Sequence, residues 1–182
     1  MKNLLFIIFS FILITSCGGN STKTKTTEAV STKAKSSEAV SPCSLLTEAE
    51  IKDMLSIPAD APTTKEDVVY TYPTCSYEWE TLIYEKNTTI GDQQMALKYP
   101  YKLMIVLVAN ANKSMYDKSV IVYKDGENIA NLGQMATWGD SMSQVTFLAG
   151  GKMIHLSLKI SGDNKENRDK AIELAKLVEK RL

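Results

Sequence analysis

Histidine is nearly missing from this chain: the 182 residues contain one, His155. Cysteine is scarce at three residues, and formal charge is balanced at 21 basic against 21 acidic side chains. The longest apolar run, Leu4 to Ile14, is eleven residues with Ser10 inside it. Each shortage excludes something. Eleven residues fall well short of the about 20 that span a bilayer as a helix. A balanced charge gives no field for nucleic acid and no strong pull on anionic lipid, so neither is expected as a partner. Two cysteines 32 apart, Cys43 and Cys75, with one distant histidine lack zinc-ligand spacing, so no metal or other cofactor is expected. No G-x-S-x-G, H-E-x-x-H or paired-cysteine motif is present, and the single histidine has no evident nucleophile and orienting partner. The expectation is a domain that is not an enzyme, and no residue is predicted to be catalytic.

What is present begins at the amino terminus. Lys2 followed by the Leu4–Ile14 run has the layout of a secretory signal. Small residues follow and then a cysteine, in the order Ile14-Thr15-Ser16-Cys17. This order resembles the lipobox of bacterial lipoproteins. The resemblance implies cleavage after residue 16, a diacylglycerol on the Cys17 thiol and acylation of the new amino terminus. Stable membrane attachment takes two or more acyl chains, which a cysteine so modified carries. With Lys2 removed, 20 basic residues remain against 21 acidic ones, a charge near −1. If lipid consumes Cys17, Cys43 and Cys75 are left as an even pair in an extracytoplasmic compartment. A disulfide between them is expected, with two buried free thiols as the alternative.

Residues 17–41 read as a tether. Ser21-Thr-Lys-Thr-Lys-Thr-Thr-Glu-Ala-Val30 is followed by Ser31-Thr-Lys-Ala-Lys-Ser-Ser-Glu-Ala-Val40, a tandem ten-residue duplication. It is too short and polar for a solenoid, and its Ser/Thr/Lys composition predicts a disordered spacer with a reach of about 25 Å. Bacteroidetes-type lipoproteins that reach the cell surface often carry acidic residues just after the lipidated cysteine. Gly18 to Lys23 contains none, which on that resemblance favours the periplasmic side.

A single domain is expected over 42–182. Thr47-Glu-Ala-Glu50 matches a capping box, and Ile51, Met54 and Leu55 give a short helix over about Glu48–Leu55 one apolar face. A strand is expected at Val68–Tyr72. Cys75, Tyr77 and Trp79 alternate with Ser76, Glu78 and Glu80, a second strand. Asn87–Asp92 reads as a loop or hairpin, and Leu103–Val108 as the central strand. Asn110–Asn131 fits either a helix from about Lys113 or a strand at Val120–Tyr123, with a turn at Asp125-Gly126. Short strands at Gln134–Trp138 and Ser143–Phe147 follow. Gly150-Gly151 signals a hairpin, and Ile154, Leu156, Leu158 and Ile160 an inward face. Asp163 and Glu166 can cap a last helix whose Ala171, Leu174, Ala175, Val178 and Leu182 share one arc. Strands joined by short turns and flanked by helices predict an α+β fold: an antiparallel sheet with a short N-terminal and a long C-terminal helix packed on it, the helices covering one face.

Pro42-Cys43-Ser44-Leu45-Leu46-Thr47, Glu50 and Cys75-Ser76-Tyr77 resemble a group of bacterial secreted lipoproteins known only as a domain of unknown function. Asn131-Leu132-Gly133 and Trp138 stand near that group's later G-L-G-like turn, with Asn131 in place of the first glycine. The resemblance covers about Pro42–Leu182 and implies a disulfide and an envelope location, and no activity.

Few side chains remain as candidates. His155 lies on the alternate register from Ile154 and Leu156 and is expected to face outward or into a groove, with an exposed strand histidine as the better reading. Glu78 and Glu80 fall on one face of a strand about 7 Å apart, and a solvated pair fits them better than a hydrolase site. Tyr70, Tyr72, Tyr77, Trp79, Tyr84, Tyr99 and Tyr101 make the middle of the chain aromatic, more readily as core and strand formers than as a carbohydrate or peptide surface. Asp140-Ser141-Met142 resembles an O-glycosylation site of Bacteroidetes envelope proteins, on a three-residue pattern that also arises by chance. The chain thus reads as a membrane-attached envelope lipoprotein, held through Cys17, whose domain binds an unidentified protein or small molecule. The rival readings are a carrier of an apolar ligand or lipid, and a hydrolase with scattered residues.

Overall fold

The computed structural model describes residues 40–182. The expected leader, Cys17 and nearly all of the repeat lie outside the described residues. Among the described residues the chain forms three α-helices, α1 (Glu48–Met54), α2 (Lys113–Val120) and α3 (Asn164–Glu179). Seven strands form one antiparallel sheet: β1 (Thr64–Val69), β2 (Pro73–Ile90), β3 (Gln93–Val108), β4 (Glu127–Asn128), β5 (Met135–Gly139), β6 (Gln144–Ala149) and β7 (Lys152–Lys159). Their spatial order is β1-β2-β3-β7-β6-β5-β4. The α+β class is therefore as expected. Leu103–Val108 lies inside the sheet, but the middle strand is β7.

Each sheet face has its own apolar layer, as period-two strands require. On one face Cys75, Ile105, Leu156, Val145 and Trp138 are successive cross-strand neighbours. With Tyr77, Trp79, Leu103, Ile154, Phe147 and Leu158 they form the main core. Helix α3 closes it with Ala171, Leu174, Ala175 and Val178, all at zero exposure. A fully buried Leu or Val side chain stabilises by about 1.5–3 kcal/mol, so this stripe holds α3 in place. The same layer receives Leu45, Leu46 and Ile51 from the α1 region. Thr47 caps α1 by accepting from the Glu50 amide at 3.3 Å, while the Glu50 carboxylate accepts from the Thr47 amide at 2.9 Å. A short 3-10 turn, Pro42–Ser44, precedes it and brings Cys43 Sγ to 1.93 Å from Cys75 Sγ.

The second face is covered too, against the expectation that helices lie on one side. Tyr116 of α2 packs with Val108, Leu148 and Met153 in a separate apolar cluster. Val120–Tyr123 is not a strand: the chain leaves α2 through turns that lay Tyr123 on the sheet. A Cβ at Gly139 would stand 2.7 Å from the Tyr123 ring, so this glycine lets the ring lie on the backbone. Two strand boundaries also move. The expected strand at Val68–Tyr72 is instead Thr64–Val69, because Tyr70–Tyr72 form the turn into Pro73. Asn87–Ile90 belongs to β2, and the turn sits at Gly91-Asp92.

Strands β2 and β3 are 18 and 16 residues long, where about 5–6 is usual. β1 pairs with β2 only as far as Glu78, and β7 pairs with β3 only from Lys102. Beyond those residues β2 and β3 pair with each other out to Ile90 and Gln93, after a register shift between Trp79 and Ile83. The result is a two-stranded arm that leaves the sheet.

Candidate functional site

The arm needs support, since an isolated hairpin is marginal in water. It finds support at its base, where the β7–α3 connection meets it. A Cβ at Gly162 would lie 2.3 Å from the Glu85 carbonyl oxygen, so backbone meets backbone there. Asn167, 2% exposed, fixes that connection. Its Oδ1 accepts from the Ile160 amide at 2.9 Å and the Ser161 amide at 3.0 Å, and its Nδ2 donates to the Ser161 carbonyl at 2.8 Å. Asn164 Nδ2 donates to Asp140 Oδ2 at 2.6 Å, and Trp138 Nε1 donates to Asp140 Oδ1 at 3.1 Å. Those bonds tie the start of α3 to the 3-10 turn Asp140–Met142, the turn that carries Ser141.

Between this rigid corner and the arm lies an open groove of about 280 Å³. The arm lines it with Tyr84, Lys86 and Tyr99, and the corner with Ser143, Lys159 and Asn164. Tyr84 and Tyr99 meet at 5.7 Å between ring centroids, with Tyr101 behind Tyr84 at 6.3 Å. Burial pushes the Tyr84 phenol above its ordinary value, and the phenol of Tyr99 adds to the shift, so Tyr84 is a neutral donor at pH 7. Among the described residues no carboxylate lines the groove, and neither Lys86 nor Lys159 belongs to an ion pair. Ser143 is 6% exposed and sits in the left-handed region at φ 52°. Its hydroxyl is one of two buried side-chain polar atoms that lack a hydrogen-bond partner among the described residues, the other being Trp79 Nε1. An unsatisfied buried hydroxyl costs about 1–3 kcal/mol.

The residues singled out in the sequence do not converge on this groove, apart from Tyr84, Tyr99 and Ser141. His155 is not an exposed strand histidine. It is half-buried in a polar row that crosses four strands: Asn128, Thr137, Thr146 and His155 are successive cross-strand neighbours. His155 Nδ1 lies 2.7 Å from Thr146 Oγ1, which lies 2.6 Å from the Tyr123 hydroxyl. Tyr116 makes the matching contact to Thr137 at 2.6 Å. Burial holds the imidazole below its ordinary value and pushes both phenols up, so all three are neutral at pH 7. The two side chains that bond His155 are Thr146 and Gln144, neither of them acidic.

Glu78 is taken by Lys102 at 3.1 Å, and Glu80 is exposed in the stretch where the register shifts. Tyr77 and Trp79 are core at zero exposure, whereas Tyr70 and Tyr72 are exposed at 76% and 41%. Among the described residues no group of three or more His, Cys, Asp or Glu side chains is placed to hold a metal ion. Lys86, Ser143, Lys159 and Asn164 were not legible as site residues, because polar residues on a polar arm and in turns carry no periodic signal. No family model, curated protein or solved structure matches the chain.

Proposed function

We propose that the chain is a lipid-anchored envelope protein whose domain is a non-enzymatic binding module. In this reading the leader 1–16 is removed, Cys17 carries the lipid, residues 17–41 form the spacer, and the groove at the base of the arm takes a small ligand. The framework is the sheet face clamped by α1 and α3. The observation that carries the binding half is the groove itself: residues bearing hydroxyl, amide and ammonium groups line an open concavity, and one of its buried hydroxyls has no partner among the described residues. Such a lining suits a polar ligand better than an apolar one, and His155, bonded to Thr146 and Gln144 away from the groove, has no carboxylate among those partners to orient it as a hydrolytic base. The order of residues Lys2 to Cys17 carries the anchor half.

Fractionation of cells that make the full chain tests the anchor. The protein is expected in the membrane fraction with an acylated Cys17 at its amino terminus, and Cys17→Ala should release it. A purified protein that still begins at Met1, or a Cys17→Ala variant retained on membranes, would refute it. For the binding half, small molecules released by denaturing the membrane-purified protein should be lost from a Lys86→Ala/Tyr99→Ala variant.

A further inference from the structure

We infer that the groove recognises an acidic sugar: a saccharide ring bearing a carboxylate. The inference rests on the binding reading above and gives it a ligand class. The charge comes first. Lys86 and Lys159 both line the groove, and among the described residues no acid lines it. The acids of the neighbouring turns are engaged: Asp140 by Trp138 and Asn164, and Asp163 by the Lys165 amide at 2.9 Å. Because Asp163 caps α3, the helix end adds no net pull on an anion. Two ammonium groups without acidic partners at a concave surface call for a negative charge on the ligand.

The shape of the ligand follows from the other lining. Tyr99 is 40% exposed and stands beside Tyr84, which gives a ring face next to the charge. Flat apolar faces flanked by hydroxyl and amide groups match a pyranose, which has C–H faces and a rim of hydroxyls. Ser143 supplies the specific signal. It is more than nine-tenths buried, lines the groove and has a hydroxyl without a partner among the described residues, so a small shift of this turn would offer that hydroxyl to a sugar hydroxyl or carboxylate oxygen. A volume of about 280 Å³ is at the small end for ligand sites, enough for one sugar unit of a longer chain.

Titration of the purified full-length protein in detergent, followed by calorimetry and by tyrosine fluorescence, tests this with glucuronic acid, glucose and inorganic phosphate as probes. Saturable glucuronate binding is expected, at least tenfold tighter than glucose, and weakened at least fivefold by Lys86→Ala, by Lys159→Ala and by 0.5 M salt. Tyr99→Ala should weaken glucuronate while leaving the far-ultraviolet circular dichroism unchanged. Equal affinity for phosphate and glucuronate would overturn the sugar assignment. Equal affinity for glucose and glucuronate, or lysine variants that bind as the parent does, would overturn the charge assignment and leave the binding module standing. Absence of any saturable, groove-dependent ligand would sink both.

Discussion

Replacing Cys43 and Cys75 together by alanine should lower the melting temperature by about 12 °C. The bridged residues are 32 apart, and closing a loop of that length removes about 3.7 kcal/mol of unfolded-state entropy in the chain-entropy model. Unfolding entropy of about 2.1 cal/mol/K per residue over a domain of about 140 residues converts this to the temperature shift. The native segment should stay docked without the bridge. Leu45, Leu46 and Ile51 remain buried, the Tyr77 hydroxyl still donates to the Leu46 carbonyl at 3.1 Å, and Arg181 still donates to the Leu45 carbonyl at 2.7 Å. The loss therefore falls on the unfolded chain, not on contacts of α1. Thermal unfolding by circular dichroism reads the magnitude, and amide exchange of residues 48–54 reads the location. A fall below about 4 °C would refute the entropic account. Exchange of α1 that speeds up while the rest of the domain keeps its protection would show that the bridge, and not the packing, holds the helix.

Gly162→Ala should free the arm, since its Cβ would meet the Glu85 carbonyl at 2.3 Å; overpacking of this kind costs about 1–3 kcal/mol. Amides of 93–101 should exchange about tenfold faster, and unchanged exchange would mean that the arm is held elsewhere. His155 is held below its ordinary pKa by burial, so the unfolded chain takes up a proton that the native one refuses. Stability is then fully present above pH 6.5 and falls as pH drops below it. His155→Gln should flatten that decline between pH 6.5 and 5 in urea titrations, and an unchanged slope would sink the assignment. Glu50 is held down to about 2 by the Arg181 guanidinium, with the Thr47 hydroxyl and amide adding to the shift. Its contribution is present above about pH 4.5 and lost as pH falls toward 2, so Glu50→Gln should weaken the acid sensitivity in that window. Parallel curves for parent and variant would count against it.

Most of the buried face was legible because burial leaves a period. Ile154, Leu156, Leu158 and Ile160 read inward from alternation alone, and all four are at most 5% exposed. Gly150 and Gly151 read as a tight turn, and both have positive φ, at 56° and 71°. Ala171, Leu174, Ala175 and Val178 marked α3 by their arc. The arm was illegible for the complementary reason: with neither face packed on the sheet, Glu85 to Leu97 shows no alternation. His155 was misplaced because alternation assigns it to the second face but cannot reveal that Tyr116 and Tyr123, some 30 to 40 residues earlier, return to cover part of that face. Two phenols opposite a row of threonines form a tertiary pattern, and sequence periodicity contains no term for it.

In the proposed binding reading, the arm is where stability and function part. The main core is complete without residues 80–101 apart from Leu82 and Tyr101 at its margin. The extension exposes Ile83 at 48%, Ile90 at 57% and Met95 at 44%, on strands whose outer edges have no strand partner among the described residues past Glu78 and Lys102. Exposed apolar side chains on open strand edges favour aggregation, and proteins commonly blunt such edges. Here no strand covers these edges among the described residues, and the arm carries Tyr84, Lys86 and Tyr99 to one wall of the groove. The opposing wall is immobilised by Asn167 and Asp140. On the binding reading proposed above, the groove is expected to tighten on its ligand through the arm, the less supported wall, without disturbing the core. Ligand should therefore protect arm amides from exchange more than those of α3 or β7. Uniform protection across the domain would instead place the binding energy in global stabilisation and remove the arm from the mechanism.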